Sequence, residues 1–410
     1  MMNELRFLMR DRSCAWIFGW ALLLASVAVT LGVYEVHSQR NEIRELRILD
    51  EQEQEVILSE KTDWGSLAYY TFHMTYDAPS SFAFAAMGLR DSLPWKHRIR
   101  MLALEGQIYE SDVVNPDFSL VGRFDYAFLL AVVSPLLVIF LLYDLRSGEK
   151  IAGRLELLIS TKGSGLGLWF PRVVLRVFGL CLMVWLPLWV GGILSQTSLL
   201  ILTKASALGG AYLVFWATLC FMIARPNASR GLNLTSLIAL WIVLCGILPV
   251  LLSEVSAKAT PMPSGSEILM TQREAVNDAW DLPKSETFEP FVWKHPELAP
   301  YTEVSKGFEW KWYYAFQQVG DQKAERLSRA YRHGRLKRDT LAGQWSFFSP
   351  ASFVQRAFER WAATDTVAIL GYEDQMRAFH QNLRMYYYER LFKGLVFDAS
   401  DVDNRPQFWE

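Results

Sequence analysis

Long apolar runs separated by polar segments dominate the pattern of this chain. A helix rises about 1.5 Å per residue, so roughly 20 apolar residues cross a hydrocarbon layer about 30 Å thick. Five runs are long enough: 14–34, 126–143, 174–194, 205–224 and 234–252. The first run is longer than the core of a signal peptide, and no small-x-small cleavage site follows it. We therefore expect it to be a retained span.

A long polar region, residues 35–123, follows the first run. It opens with a stretch rich in Glu, Arg and Gln that carries a partial helical stripe, so we expect the first span to continue out of the membrane as a helix. That helix either packs on its own domain or forms a coiled coil with another chain, and its imperfect heptads favour the first. Residues 69–76 are aromatic and partly alternating, which predicts a strand.

The C-terminal region, residues 254–410, is mostly helical in pattern. Helices are predicted at 268–280, from 308 towards 337, at 351–363, and from 365 towards 392. Ser349 is predicted to cap the helix at 351–363, with Pro350 at its first position. Residues 288–300, bounded by prolines, are predicted to be irregular.

The distribution of Lys and Arg predicts the orientation of the spans. The basic positions beside the spans are Arg6, Arg10, Arg12, Arg146, Lys150, Arg154, Lys162, Arg172, Arg225 and Arg230. With five spans, all of them fall on one side, and short basic segments stay in the cytoplasm. We therefore expect a multi-pass protein of the bacterial inner membrane with a cytoplasmic N-terminus. Arg6, Arg10 and Arg12 are expected near lipid headgroups or a cytoplasmic partner.

These patterns together predict an α-helical polytopic membrane protein. It has about five transmembrane helices and a mostly α periplasmic part with minor β structure. Four segments follow from the spacing: a basic segment with the first span (1–34), a periplasmic insertion (35–123), spans two to five (124–253) and a C-terminal periplasmic helical domain (254–410).

The charged bend at 144–172, between the second and third spans, is the segment around which the rest is organised. It combines a seven-residue stretch with five polar or charged positions (144–150), a short amphipathic stretch and a Gly/Ser-rich break. A short amphipathic helix between two spans, on the positive side, is suited to docking a soluble partner. The residues expected at that contact are Glu149, Arg154, Leu155, Glu156 and Leu158.

Composition limits the chemistry of the chain. Net charge is −2, which gives no reason to expect a nucleic-acid partner. The cysteines all lie in predicted spans, so neither a disulfide framework nor a cysteine-based metal site is expected. The six histidines are scattered without ligand spacing. No phosphate-binding loop, His-Glu-x-x-His or Gly-x-Ser-x-Gly motif occurs. We therefore expect no catalytic residue, metal or cofactor in this chain.

The spans themselves carry few polar features. Carboxylates are absent from their central parts, which argues against a proton-coupled carrier. Pro135, Pro187 and Pro249 are candidates for helix bending during a conformational cycle, although an ordinary bundle of kinked helices explains them equally well.

Three further stretches leave alternatives open. Residues 82–90 are small and apolar, and are expected on the membrane surface or on a partner permease. Residues 93–100 combine Trp95 with cationic side chains, which favours a headgroup or structural role over binding of an acidic substrate. The aromatic run 308–316 is either a helix packing face or the lining of a ligand groove, and the packing face is favoured.

Several motifs resemble permeases of type-2 ABC exporters, closest to the branch related to the nitrous-oxide-reductase maturation permease, with an enlarged domain after the first span. The matching stretches are Leu89-Arg90-Asp91-x-Leu93-Pro94-Trp95, residues 101–110, Gly122-Arg123-Phe124-Asp125, Glu149 with Arg154-Leu155-Glu156-Leu157-Leu158, residues 272–284 and residues 349–356. Such permeases usually have six spans, whereas no run after residue 252 is long enough to cross.

The resemblance implies a permease subunit of an ATP-driven exporter. In that class the segment with Glu149 and Arg154 forms a coupling helix seated in the ATPase. Implied partners are two copies of a cytoplasmic ATPase that holds ATP and Mg²⁺, a second permease, identical or related, and a periplasmic or outer-membrane protein. The chain itself is then not an enzyme.

Two other classes compete with this hypothesis. One is a non-transporting scaffold or sensor whose periplasmic domain binds a partner protein. The other, a membrane-embedded enzyme, has no recognisable catalytic constellation. A stoichiometric ATPase in the purified complex distinguishes the transporter from both.

Overall fold

The computed structural model describes residues 11–110, 124–162, 166–224 and 228–408. These residues form long helices and one small sheet. The helices of the N-terminal half are α1 (Arg12–Glu60), α2 (Trp64–Tyr70), α3 (Leu104–Tyr109), α4 (Tyr126–Phe128, a π-helical turn Leu129–Val133, and Ser134–Leu142), α5 (Ser147–Ile151), α6 (Leu155–Lys162), α7 (Leu166–Leu194) and α8 (Leu199–Ile223). Those of the C-terminal half are α9 (Arg230–Trp241, a π-helical turn Ile242–Ile247, and Leu248–Ala259), α10 (Gly265–Asp278), α11 (Lys284–Lys294), α12 (Trp310–Trp345), α13 (Pro350–Ala362) and α14 (Thr366–Phe392).

Five of these helices are long and apolar enough to cross a membrane: α1, α4, α7, α8 and α9. The prediction of a mainly α-helical chain with about five such helices and little β structure is therefore confirmed. α1, α7, α8 and α9 extend past the predicted runs, because polar or charged residues at their ends fall outside an apolar window, whereas α4 matches its run to within one residue. α1 packs along α7, and α4 packs along α8. α1 contributes small buried residues to its contact, among them Ala21, Ala25 and Ala28.

The helix α1 is continuous through Glu60, as the helical stripe predicted. Its polar second half packs on its own chain: Glu42 pairs with Lys96 and Glu53 with Arg98, both from the sheet. The sheet consists of the antiparallel strands β1 (Phe72–Tyr76) and β2 (Lys96–Arg100). The cationic stretch at 93–100 thus has a structural role, because its Lys and Arg side chains pair with α1.

The two polar regions of the chain, which lie outside its long apolar runs, meet in one body (residues 35–110 and 260–408). We call it the extramembrane body for this position in the sequence. Its core is aromatic and includes Trp312, Tyr314 and Phe316, which are all buried. The hydroxyl of Tyr314 donates to the carbonyl of Gly65 at 2.8 Å, which joins the two regions. The aromatic run at 308–316 is therefore a packing face rather than a groove lining.

Three local predictions were wrong. Residues 284–301, expected to be irregular around 288–300, form α11 and a 3₁₀ helix. Tyr69 and Tyr70 end α2 rather than beginning a strand. Residues 82–87, from the stretch 82–90 that was expected on a membrane surface or a partner permease, are at most 2% exposed and are covered by this chain itself. This stretch packs directly on α1. The backbone of Phe84 lies so close to Gly32 of α1 that a side chain at position 32 would collide with the Phe84 carbonyl.

Candidate functional site

The charged bend folds around one buried carboxylate. Glu149, on α5, is 7% exposed and accepts from Arg172 Nη1 at 3.0 Å and from Arg154 Nε at 2.8 Å. Gly153 has a φ of +68°, a value that glycine adopts without strain, and it turns the chain from α5 into α6. Two cations around one acid hold the bend against the start of α7.

Further ion pairs tie the same end of the spans together. Arg176 donates to the carbonyl of Leu141 at 2.5 Å and to Asp11 at 3.2 Å, so α7 is joined to both α4 and α1. Asp144 lies 3.7 Å from Arg230, at the start of α9. These pairs join α1, α4, α7 and α9, and Arg146 of the bend lies over the ring of Phe221 in α8, 3.7 Å from its centroid. All five spans therefore meet around the bend.

The predicted contact residues divide into two groups. Glu149 is buried, and Leu155 and Leu158 are half-buried against the core of the spans. Arg154 and Glu156 are exposed. The inward residues hold the bend in place, and only the second group is available to a partner.

Two exposed apolar residues of α5 and α6 were not among the predicted contact residues. Ile151 is 65% exposed and Leu157 is 66% exposed. The exposure of Leu157 could have been predicted from helical spacing, because Leu155 and Leu158 occupy the inward face of α6 and Leu157 lies off that face. Together with Glu156, these residues form what we call the bend surface (Ile151, Arg154, Glu156 and Leu157).

Of the N-terminal arginines, only Arg12 lies in the part of the chain that the structure describes. It is exposed and begins α1, whose N-terminus is capped by Asp11. Arg6 and Arg10 lie outside the described residues, as do Gly122 and Arg123 from the stretch leading into α4.

Two of the three predicted bending prolines coincide with π-helical turns. Pro135 follows the turn Leu129–Val133, and Pro249 follows the turn Ile242–Ile247. Proline has no N–H and clashes with the carbonyl four residues earlier, so a wider turn accommodates it. Pro187 lies inside the continuous helix α7 and has no such turn.

The carbonyls at the first π-helical turn are satisfied by neighbouring spans. Tyr212 Oη donates to the carbonyl of Ala131, the residue four before Pro135, at 2.6 Å. Trp241 Nε1 donates to the carbonyl of Val132 at 2.9 Å. These two bonds connect α4 to α8 and α9 in the interior of the helix bundle, where an unsatisfied carbonyl is costly.

Helix α13 joins the extramembrane body to these turns. Its buried residues are Ala351, Val354, Phe358 and Ala362. The ring of Phe358 lies 5.9 Å from Tyr126, at the start of α4, and 5.7 Å from Phe82. Ser349 caps α13 as predicted, accepting from Ser352 N at 3.4 Å, and its hydroxyl lies 3.5 Å from the carbonyl of Leu244 in the second π-helical turn.

A cleft of about 570 Å³ opens where α4, α9, α12 and α13 meet. The spans contribute mainly apolar residues: Phe128, Ala131, Val132, Cys245, Pro249 and Leu252. The extramembrane body contributes charged and polar residues: Arg335, Arg338, Asp339, Gln355, Arg356 and Glu359. One wall is thus apolar and the opposite wall is polar. We call it the junction cleft.

The charges of the junction cleft are partly paired. Arg335 pairs with Glu373 at 3.0 Å, and Arg356 pairs with Asp339 at 2.8 Å. Arg338 donates instead to main-chain carbonyls, from Nε to Thr260 at 3.0 Å and from Nη2 to Ala257 at 3.3 Å.

Two carboxyls beside the cleft have raised pKa values. Burial raises the pKa of Glu359 to about 7, although Gln355 donates to it at 2.9 Å. The neighbouring charge of Asp125 raises it further. Burial also raises the pKa of Asp125 to about 6, against the effect of hydrogen bonds from the main-chain N–H groups of Phe128 and Met87.

Within the described ranges, no group of three or more His, Cys, Asp or Glu side chains is placed to hold a metal ion. The described cysteines are free.

The fold and these contacts define an α-helical protein with several helices of membrane-spanning length and a helical extramembrane body seated on them. Residues 266–410 match the model of a family described as a domain of unknown function (DUF3526). The match covers less than half of the chain, begins in α10 after the last apolar helix, and includes Arg338 and all of α13. The comparisons with curated proteins and with solved structures give no match.

Proposed function

We propose that this chain is the membrane-spanning permease subunit of an ATP-driven exporter of the type-2 ABC class, which moves its substrate across the bacterial inner membrane. The observation that carries the proposal is the charged bend. Glu149 is buried between Arg172 and Arg154, while Ile151 and Leu157 are exposed on the same bend. A rigid, charged support with an apolar outer surface is suited to receiving force from a soluble partner.

In this proposal the energy comes from another protein. ATP and Mg²⁺ are bound by a cytoplasmic ATPase, present in two copies, and this chain supplies neither a phosphate-binding loop nor a catalytic residue. A second permease, identical or related, completes the membrane part, and a periplasmic or outer-membrane protein receives the substrate.

The described contacts offer a route from the bend to the rest of the chain. Movement of α5 and α6 acts on α7 through Arg172, and on α1 and α4 through Arg176. The π-helical turns at Pro135 and Pro249 lie further along the spans and are the places where α4 and α9 bend most readily. Helix α13 contacts both turns, so bending of the spans displaces the extramembrane body.

The test is purification of the full chain from its native membrane, followed by assay of the complex. The proposal predicts a stoichiometric partner with a phosphate-binding loop and ATPase activity that depends on this chain. Leu157→Asp, on the bend surface, should lower partner recovery and activity at unchanged expression. Leu395→Asp, at an exposed leucine of the extramembrane body, is the matched control. Unaltered recovery and activity in Leu157→Asp would contradict the proposal.

A second candidate is a non-transporting scaffold or sensor. The observation in its favour is that α13 contacts both π-helical turns, since a ligand or partner on the extramembrane body would then act directly on the spans. A complex that lacks an ATPase but retains a stoichiometric periplasmic or signalling partner would favour this candidate.

A further inference from the structure

The junction cleft is apolar at the end formed by the spans and polar at the end formed by the extramembrane body. Its apolar end is formed by Phe128, Val132, Pro249 and Leu252, and its polar end by α12 and α13. Ligand sites in proteins typically enclose about 300–1,000 Å³, and the cleft falls in that range. Neither a purely polar nor a purely apolar molecule matches both ends.

The apolar end is reached from the lipid side of α9. Only 6% of the apolar window of α9 is buried within the chain. Val250 and Leu251 are 62% and 54% exposed, between the cleft-lining residues Pro249 and Leu252. One side of α9 therefore lines the cleft while the adjacent side faces outwards, so a molecule dissolved in the bilayer enters beside α9 without crossing water.

The polar end presents a cation without a carboxylate partner. Among the described residues, Arg338 forms no ion pair, and its Nη1 makes no hydrogen bond. The other two arginines of the cleft, Arg335 and Arg356, are paired with Glu373 and Asp339. Glu359 also lines the cleft, but its carboxyl accepts from Gln355 and forms no ion pair with Arg338 among the described residues. Guanidinium groups form strong charge-assisted hydrogen bonds with phosphate and carboxylate oxygens.

We propose that the junction cleft binds an anionic amphiphile from the bilayer, with its phosphate or carboxylate headgroup on Arg338 and the first part of its acyl chain against Phe128, Val132 and Leu252. The remainder of the chain stays in the lipid. The site is independent of the proposed ATPase partner, because every contact it uses lies at the opposite end of the spans from the bend.

The test uses the full-length chain in nanodiscs that contain a phosphatidylglycerol with a photoactivatable diazirine in its acyl chain. After irradiation, adducts are mapped by mass spectrometry. We expect labelling of the apolar wall of the junction cleft. Unlabelled phosphatidylglycerol should compete for it, and phosphatidylcholine should compete poorly. Competition by a fatty acid in place of phosphatidylglycerol also supports the site and identifies the headgroup as a carboxylate.

Four variants make the test specific. Arg338→Gln should reduce labelling roughly tenfold, the usual effect of losing one charge-assisted contact. Arg338→Lys keeps the charge and should restore part of it. Arg326→Gln, at an exposed arginine of the same helix, should have no effect. Ala342→Trp fills the cleft without removing a charge and should abolish labelling.

Ala330→Trp, on the exposed surface of α12, is the steric control. Thermal unfolding of each variant shows whether it folds. If Arg338→Gln does not fold, the result for Ala342→Trp decides whether the cleft is the labelled site. The proposal is overturned if labelling of the cleft survives Ala342→Trp, or if phosphatidylcholine competes as well as every anionic amphiphile.

Discussion

Glu149 and Arg172 form an ion pair at 3.0 Å, with only 9% of each side chain exposed. They are separated by the whole of α6 in the sequence, so their pairing fixes where the bend returns to the membrane. Arg154, the second partner of Glu149, is 58% exposed and contributes less, because water screens an exposed charge.

Removing one partner of this pair should destabilise the fold. Glu149→Gln leaves Arg172 buried without its carboxylate, a loss that typically costs about 3 kcal/mol or more. The double variant Glu149→Gln/Arg172→Gln should cost less than Glu149→Gln alone, because the buried cation is removed together with its carboxylate. The free energy of unfolding of the purified protein checks this order. Glu156→Gln, at an exposed position, should change that energy by less than about 0.5 kcal/mol. An equal cost for the single and double variants would show that the pair is not coupled.

The stabilisation of α4 by the Tyr212 hydroxyl should depend on Pro135. Tyr212→Phe removes the hydroxyl donor to the carbonyl of Ala131 and leaves only the longer contact from Cys245 Sγ at 3.8 Å, so we expect a loss of about 1–2 kcal/mol in the free energy of unfolding. Pro135→Ala supplies an N–H that can reach the same carbonyl, so Tyr212→Phe should cost less in that background. A double-mutant cycle measures the difference. Equal costs in both backgrounds would mean that the proline does not free this carbonyl.

Packing of α13 on the spans should depend on one aromatic side chain. Phe358 is fully buried between Tyr126 and Phe82, and Phe358→Ala should cost about 3–5 kcal/mol through the lost contacts and the resulting cavity. Phe353→Ala, at a residue of the same helix that is 49% exposed, is the matched control and should cost much less. Chemical denaturation of both variants measures the difference in the free energy of unfolding. Similar losses in the two variants would contradict the described packing of α13 on the spans.

Glu359 should make stability fall as the pH rises. Its pKa of about 7 lies above the ordinary value of 4.5, so the folded chain binds a proton that the unfolded chain has released. The contribution of Glu359 to the free energy of unfolding is fully present below about pH 4.5 and is lost as the pH rises through about 7. The charged groups that act on Glu359 are Asp125, Arg356 and Asp365.

Glu359→Gln removes this titration while keeping the size and shape of the side chain. Relative to the parent chain, the variant should therefore gain melting temperature between pH 5 and pH 8. Asp125, with a pKa of about 6, still titrates in the variant. The melting temperature of the variant should therefore still fall with rising pH, but less steeply. If the difference in melting temperature between the two proteins is the same at pH 5 and pH 8, Glu359 does not titrate in this range.

Elements whose signals are local were predictable from the sequence. Apolar runs of sufficient length predicted the five long helices, and Ser349 with Pro350 predicted the start of α13. Asp365 likewise precedes α14 and accepts from Ala368 N at 3.1 Å, as a capping residue does. α11 was missed because Pro290 lies inside it and was interpreted as a boundary.

The candidate sites depend on contacts between distant parts of the chain, which the sequence does not show. The inward position of Glu149 requires Arg172, from the start of the next span. The junction cleft combines Val132, Arg338 and Glu359 from three helices. No spacing rule connects these residues, so composition and motifs located the bend but neither its exposed surface nor the cleft.

The most direct test of the coupling role is site-specific photo-crosslinking from the bend surface. A photoreactive amino acid is placed at Leu157 in the full chain in native membranes, and an otherwise identical chain carries it at Val396, which is 89% exposed on the extramembrane body. We expect position 157 to crosslink to a protein with a phosphate-binding loop, and ATP with vanadate to change the yield. Position 396 should give no such product. Crosslinks from position 157 to lipid alone, or to the ATPase equally from both positions, would contradict the coupling role.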